Sequence, residues 1–203
     1  MTAPHAVIIA GGRGERLGGL RKADLRIGGM RLVDRVANGL GDLDSPLMIS
    51  VGPSDDGRGT RAGSIRVTDL AAPVGGPMAG LAAAVASLQA RGITDGVLVS
   101  VTVDTPFLPR DFCAVMVAAL GDDAAALAAW GDDFYPPNAA WRIAALATLP
   151  DRVLQGRAPK SLKALQEALG ARQVDWSGGH ASNPFVNLNT PADLVALGRI
   201  ARG

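Results

Sequence analysis

A single cysteine, Cys113, and two histidines, His5 and His180, are all that 203 residues contain of those types. One cysteine excludes a disulfide framework and fits a reducing compartment. Cys113 lies in FCAVMVAAL, an apolar helical pattern, where a buried structural thiol is expected and a nucleophile is not. Two histidines without an HExxH-type spacing leave no conventional zinc site. No apolar run approaches the roughly 20 residues that cross a bilayer, and the first residues lack a secretory apolar core. The expected location is therefore the cytoplasm. An excess of either charge is missing too: Lys+Arg number 20 against 19 Asp+Glu. Nothing global draws the chain to nucleic acid or to a membrane surface.

What is present is an apolar content of 48% and enough chain for one domain with a sizeable core. The positive charge that exists is local. Arg13, Arg16, Arg21, Lys22, Arg26, Arg31 and Arg35 all fall early, which predicts an anionic ligand near the N-terminus, although any one of them alone reads as solvated surface. Apolar runs alternate with helix-period segments. Strands are expected at AVIIA (6–10), PLMISVG (46–52), SIRVTDL (64–70), GVLVSVTVD (96–104), AAALAAW (124–130) and RQVDW (172–176). Helices are expected near 32–40, 76–92, 109–120, 138–149 and 160–169, with GPSDDGRGTRAGS (52–64) as a surface loop. Wholly apolar strands separated by helices predict a single α/β domain with a mostly parallel sheet covered on both faces.

In such sheets ligands gather at the carboxyl ends of the strands. The loop after the first strand, GGRGERLGGLRK, is therefore the first place to look. It lacks the Gly-Lys-Ser/Thr of a P-loop. Gly12, Gly14 and Gly18 give GxGxxxG, close to a dinucleotide fingerprint, but the second strand ends in MISVG without the acid that would grip a ribose. What remains is Ala10-Gly11-Gly12 followed by arginines and Lys22. Two glycines bring backbone N–H groups close to a nucleotide, and Lys22 adds a point charge beyond them. The stretch IIAGGRGERLGGLRK resembles the L-A-G-G-x-x-x-R-M-G-x-x-K loop of sugar-nucleotide and cofactor nucleotidyltransferases.

Three later elements extend that resemblance. The long strand ends in VDTPFLP, where Asp104 stands at the site face, with Thr105 a helix-capping alternative. Next, SIRVTDLAAPVGGPMAGL places Asp69 at a strand end and Gly76, Pro77 and Gly80 at a helix start, whose N–H groups can face a nucleotide. In FVNLNTPADL an extended Phe185–Asn189 would put Asn187 and Asn189 on one face, with Thr190 and Asp193 capping the following helix. Together these look like the MobA family, the molybdenum cofactor guanylyltransferases. The resemblance implies a Rossmann-like nucleotidyltransferase α/β sandwich that joins GMP from GTP to molybdopterin or its molybdenum form and releases pyrophosphate.

The resemblance also implies Mg²⁺ on Asp104 and Asn187. Nucleotide contacts would come from Ala10, Gly11, Gly12, Arg13, Lys22, Asp69, Gly76, Pro77, Gly80 and Asp104, while Lys22 and Arg16 offset charge on the leaving pyrophosphate. WGDDFYPPNAAWRIAALATL and GRAPKSLKAL resemble the pterin region, so Trp141, Arg157 and Asn189 become acceptor candidates, and other cofactor-biosynthesis proteins become transient partners. The chain departs from the family pattern at Arg21, at Val103 and at Pro136-Pro137-Asn138-Ala139-Ala140-Trp141, which stands where P-L-x-x-L-W is usual. Cytidylyl transfer, a sugar- or alcohol-phosphate acceptor, and a non-catalytic nucleotide-binding module remain the alternatives. The nucleophile arrives with the substrate, so the absence of a Ser, Cys or His triad is no obstacle.

Overall fold

The computed structural model describes residues 3–11, 21–52, 60–71 and 75–201. At its centre lies β1 (His5–Ile9), whose five residues are all buried. Strand β4 (Met48–Val51) pairs with it on one side and β6 (Val97–Thr102) on the other, both parallel. Beyond β4 lies β5 (Ile65–Thr68), also parallel. Beyond β6 the sheet continues through β8 (Asp133–Arg142), β7 (Ala125–Trp130) and β9 (Arg172–Asp175), giving the order β5-β4-β1-β6-β8-β7-β9. Only β8 runs against the others. A separate two-residue hairpin, β2 (Arg26–Ile27) with β3 (Met30–Arg31), turns through Gly28 and Gly29 at positive φ, a conformation that glycine adopts without steric cost.

Alternation along the strands sends side chains into two cores. Ala6 and Ile8 join α1 (Leu32–Gly39), α3 (Phe112–Leu120) and Leu197 of α6 (Pro191–Ile200) on one face. Val7 and Met48 join α2 (Pro77–Ala90), α4 (Leu149–Leu154) and α5 (Leu162–Ala168) on the other. The fold expectation of a mostly parallel sheet between two helix layers holds. Helix α2 is buried from Met78 to Val85, and its alanines and Gly80 let it lie close on the sheet. Ala125–Trp130 is a strand despite alanine's weak strand preference, because burial on both faces decides the matter. Cys113 is buried as expected, and its burial pushes the thiol up to about 12. Among the described residues no helix is long and apolar enough to cross a membrane.

One expectation fails. Residues 138–149 do not form one helix: Asn138–Arg142 complete β8, and only a 3-10 turn (Ile143–Leu146) and α4 follow. The Ala-rich NAAWRIAALA carries a helical pattern, yet its first half fills the gap between β6 and β7, where pairing with both neighbours outweighs intrinsic preference. The strand is interrupted where the prolines stand. Leu127 pairs with Ala139 and the next residue, Ala128, with Tyr135, so Pro136, Pro137 and Asn138 have no partner on β7. Proline has no N–H to give to a ladder.

Trp141 lies inside this sheet, fully buried, with Nε1 donating to Ser100 Oγ at 2.8 Å. Its side chain presents no surface to an acceptor substrate, contrary to the expectation. Replacing it with alanine should cost about 3–5 kcal/mol of folding stability, as for other large-to-small core changes. Trp141→Phe should keep most of the stability and leave nucleotide affinity unchanged. Denaturant unfolding and nucleotide titration of the two variants check this.

Candidate active site

The chain leaves β1 for β4 and β5 on one side and later crosses to β6 on the other, so the switch point of the sheet falls between β1 and β6. Ligands of open α/β sheets bind outside the strand ends at such a point. Two groups of side chains meet there, one on each side of β1.

The first is built by close packing. Ala10 N–H donates to Ser50 C=O at 2.9 Å, and Asp69 N–H to Val51 C=O at 2.9 Å, extending the parallel ladders past the strand ends. A Cβ on Gly11 would stand 2.5 Å from Asp69 Oδ2 and 3.4 Å from the Gly52 nitrogen. One on Gly80 would collide with Ser50 Oγ. Both glycines are thus required by the approach of backbone to the Asp69–Ser50 pair. The Ser50 hydroxyl donates to Asp69 Oδ1. Burial raises the Asp69 pKa, and the Ser50 hydrogen bond opposes only part of that rise. Gly76, at φ 70°, caps α2 ahead of Pro77, and both are exposed. The positive end of a 14-residue helix therefore opens beside this floor.

The second group carries charge. Lys22, in a short 3-10 turn (Lys22–Asp24), points its Nζ at Asp104 Oδ2, 3.1 Å away, and at Asn189 Oδ1, 2.8 Å away. The Thr102 hydroxyl at the end of β6 donates to Asp104 Oδ1. Asp104 C=O accepts from Leu188 N–H at 2.9 Å. The segment that delivers Asn189 is pinned at both ends. Phe185 is buried among Phe112, Tyr135 and Trp176, with ring centroids 5.0–5.9 Å apart. At the other end Asp193 accepts from the N–H groups of Asn189 and Thr190 at 2.9 and 2.8 Å, in the expected capping box. Those N–H groups hold the Asp193 carboxyl below the usual carboxylate range.

Several expectations need adjusting. Phe185–Asn189 is not a strand, and Phe185 and Leu188 are buried while Val186 and Asn187 are exposed. The spacing of three puts Asn189, not Asn187, on Lys22. Arg157 is exposed in the turn after α4, its N–H bonded to Arg152 C=O at 2.8 Å, and nothing draws it to Asp104 or Lys22. Of the early arginines, Arg26 donates to Gly29 C=O, Arg31 pairs with Asp34 at 2.8 Å, and Arg35 donates to Ile27 C=O at 3.0 Å. These three brace the β2–β3 hairpin and α1. Gly12, Arg13 and Arg16 lie outside the described residues. Sequence reasoning passed over Ser50, Thr102 and Asn138. The available signal was polarity: each is a hydrogen-bonding side chain in or beside a stretch otherwise apolar.

The family model of the MobA-like NTP transferase domain matches residues 6–174. The chain belongs to the MobA-like NTP transferase family. Among its relatives, the molybdenum cofactor guanylyltransferase of Acidiphilium cryptum is 36% identical over 95% of this chain and 92% of that protein. The enzyme of the same name from Cereibacter sphaeroides is 34% identical over 97% and 96%. Among solved structures, molybdopterin-guanine dinucleotide biosynthesis protein A from Archaeoglobus fulgidus superposes with a TM-score of 0.73 at 20% identity, covering 98% of each chain. The 2-C-methyl-D-erythritol 4-phosphate cytidylyltransferase of Thermus thermophilus superposes at 0.68 with 18% identity, over the whole of both chains. Family membership makes this a nucleotidyltransferase.

Among the described residues no three His, Cys, Asp or Glu side chains converge as a metal cage. Asp104 Oδ2 and Asn189 Oδ1 are hard oxygen donors already gathered about one cation, the Lys22 ammonium. That donor set fits Mg²⁺, which characteristically binds through one or two carboxylates with substrate phosphates and water. At Asp69 the sign of the pH effect follows from its raised pKa. The carboxyl's contribution to folding stability is full below pH 3.8, its ordinary value, and is lost as pH rises through the folded value. Asp69→Asn, which keeps an acceptor for Ser50, should therefore be more stable than the parent at pH 7 and no more stable below about pH 3.8. Parallel denaturation curves across pH measure the difference.

Proposed function

We propose that this chain transfers GMP from GTP to molybdopterin, or to its molybdenum-bearing form, with release of pyrophosphate. The observation that carries this reading is the Lys22–Asp104–Asn189 convergence at the switch point, in a chain whose near-full-length relatives bear the guanylyltransferase name. A phosphate oxygen of the acceptor attacks the α-phosphorus of GTP. The bond to the bridging oxygen breaks as the new P–O bond forms, and pyrophosphate departs with the electron pair. The nucleophile belongs to the acceptor, so the protein's task is positioning and charge neutralisation.

The parts divide accordingly. The Gly11–Asp69–Gly80 floor and the N-terminus of α2 suit the nucleoside end of GTP, where close-packed glycines bring backbone and the Asp69 carboxyl together beside exposed helix N–H groups. Lys22 suits the phosphates, with the compact charge of an ammonium. Its two oxygen partners hold it at the strand end until a phosphate oxygen competes for it. Asp104 and Asn189 would hold Mg²⁺, and the bound ion would supply charge neutralisation at the α-phosphate. The Arg13 and Arg16 contacts expected from the sequence belong to this proposal as well. A lone buried thiol and phosphorylated substrates fit a cytoplasmic reaction, in which proteins that make or use the cofactor would be transient partners.

Thermal stability of the purified chain with Mg²⁺ and each of GTP, CTP, ATP, UTP and dTTP tests the reading. GTP at 100 times its Kd should add about 2.7 kcal/mol, and the other nucleotides should add less. Pyrophosphate release should require GTP together with molybdopterin and should vanish in Asp104→Ala. Lys22→Ala should reduce turnover about 10²–10³-fold, as for other lost electrostatic donors. Stabilisation by CTP in place of GTP would assign a cytidylyltransferase. Stabilisation by a nucleotide without pyrophosphate release for any acceptor would return the chain to the binding-module alternative.

A further inference from the structure

The interruption of β8 leaves a backbone donor of β6 in need of a partner, and the way it is answered leads to Asp104. β6 and β8 pair from Val97↔Arg142 to Ser100↔Ala139. Two steps further the antiparallel register would bring Pro137 opposite Thr102. The Pro137 carbonyl is taken instead by the Ser100 hydroxyl at 2.7 Å. Thr102 N–H, on the side of β6 away from β1, donates to the side-chain oxygen of Asn138 at 3.1 Å. Asn138 is 1% exposed, so its amide is a built-in substitute for the missing strand acceptor, in a place where an unpaired N–H would be costly.

Thr102 is the residue that orients Asp104. Its hydroxyl donates to Asp104 Oδ1, and its C=O accepts from Thr105 Oγ1 at 3.0 Å. Oδ2, the other carboxylate oxygen, faces Lys22. We infer that Asn138 is a positioning residue for the transfer reaction: through Thr102 it fixes the rotation of the Asp104 carboxylate, so that one oxygen is spent on the protein and the other is presented to the site. The inference rests on the nucleotidyl-transfer reading of Asp104. It also gives the Pro-Pro-Asn departure a role, since the prolines have no N–H for the ladder, the Pro137 carbonyl goes to Ser100, and the asparagine supplies the acceptor for Thr102 from the side.

The test combines kinetics with hydrogen exchange at Thr102. Asn138→Ala should lower kcat about 10–100-fold, the usual cost of losing a group that orients a ligand, with KM for GTP little changed because the Gly11–Asp69–Gly80 floor is untouched. The half-saturating Mg²⁺ concentration should rise, and the Thr102 amide should exchange faster in the nucleotide-free protein. Thr102→Val, which keeps the shape and drops the hydroxyl, should show the same kcat loss with KM spared, and it serves if Asn138→Ala does not fold. The double variant should fall by less than the product of the two single effects, since both act on one carboxylate. Unchanged kcat in either single variant, or strictly multiplicative losses with Thr102 exchange unaltered, would overturn the assignment. A parent protein that releases no pyrophosphate from GTP with molybdopterin would overturn the guanylyl-transfer reading instead, and the Thr102 exchange rate would then decide the Asn138–Thr102 link alone.

Discussion

Everything at the site depends on one ammonium group being held by two oxygens from remote parts of the chain. Lys22 is 82 residues from Asp104 and 167 from Asn189, yet the three meet at the end of β6. Lys22 and Asp104 side chains are each about one-fifth exposed. A pair so placed is neither a solvated surface bridge of small worth nor a fully desolvated one. Removing either partner leaves the other charge half-buried without its counterpart. The surroundings show how much structure is spent on this meeting: an aromatic nest around Phe185, a capping box at Thr190–Asp193, and the Leu188 N–H on the Asp104 carbonyl. None of these touches a nucleotide in the proposed reaction. Their effect is to fix where Asn189 ends.

The two sides of β1 solve different problems with different chemistry. On the β4–β5 side the requirement is proximity, and it is met by leaving atoms out: glycines at 11 and 80 let backbone and a carboxyl come together. On the β6 side the requirement is charge at a defined point, and it is met by adding polar side chains to an apolar strand end. Asp69 and Asp104 are both acids after a strand of the same sheet, but their settings separate them. Asp69 is buried against a hydroxyl and favours its proton, whereas Asp104 has a cation on one oxygen. A close-packed floor and a charged edge are thus kept apart by the thickness of one strand.

Much of this was legible in the sequence because it is written in short-range patterns. Strands β1, β4 and β6 are largely apolar runs, and an acid follows just beyond the last of these. The Thr190–Asp193 capping box is a local code, and the structure contains it. What could not be read is what depends on a neighbour in space. Asp133–Arg142 carries alanines and two prolines and joins the sheet only because β6 and β7 leave a gap for it. Asn187 looked the better metal ligand, because alternation assumes a strand; the segment instead turns so that Phe185 and Leu188 share the interior. Trp141 resembled a substrate residue by its place in a motif, while its burial follows from the sheet order alone. Ser50 and Thr102 were visible as polar residues in otherwise apolar strands, Ser100 being the second in β6, a signal that has meaning only once the strand order is known.

The antiparallel strand explains why the charged edge lies where it does. A parallel neighbour to β6 would end beside it, and its own exit loop would crowd Asp104. β8 instead runs the other way and breaks from the ladder at Pro136–Asn138, before the end of β6 is reached. That break leaves the last two residues of β6 without a ladder partner on this side, and it leaves the Thr102 N–H to be satisfied by a side chain. Opening the edge and stabilising it are therefore opposed demands on the same three residues. Prolines at 136 and 137 meet the first by ending the ladder. A side-chain amide at 138 meets the second, from a buried position that a strand carbonyl in regular register would otherwise have served.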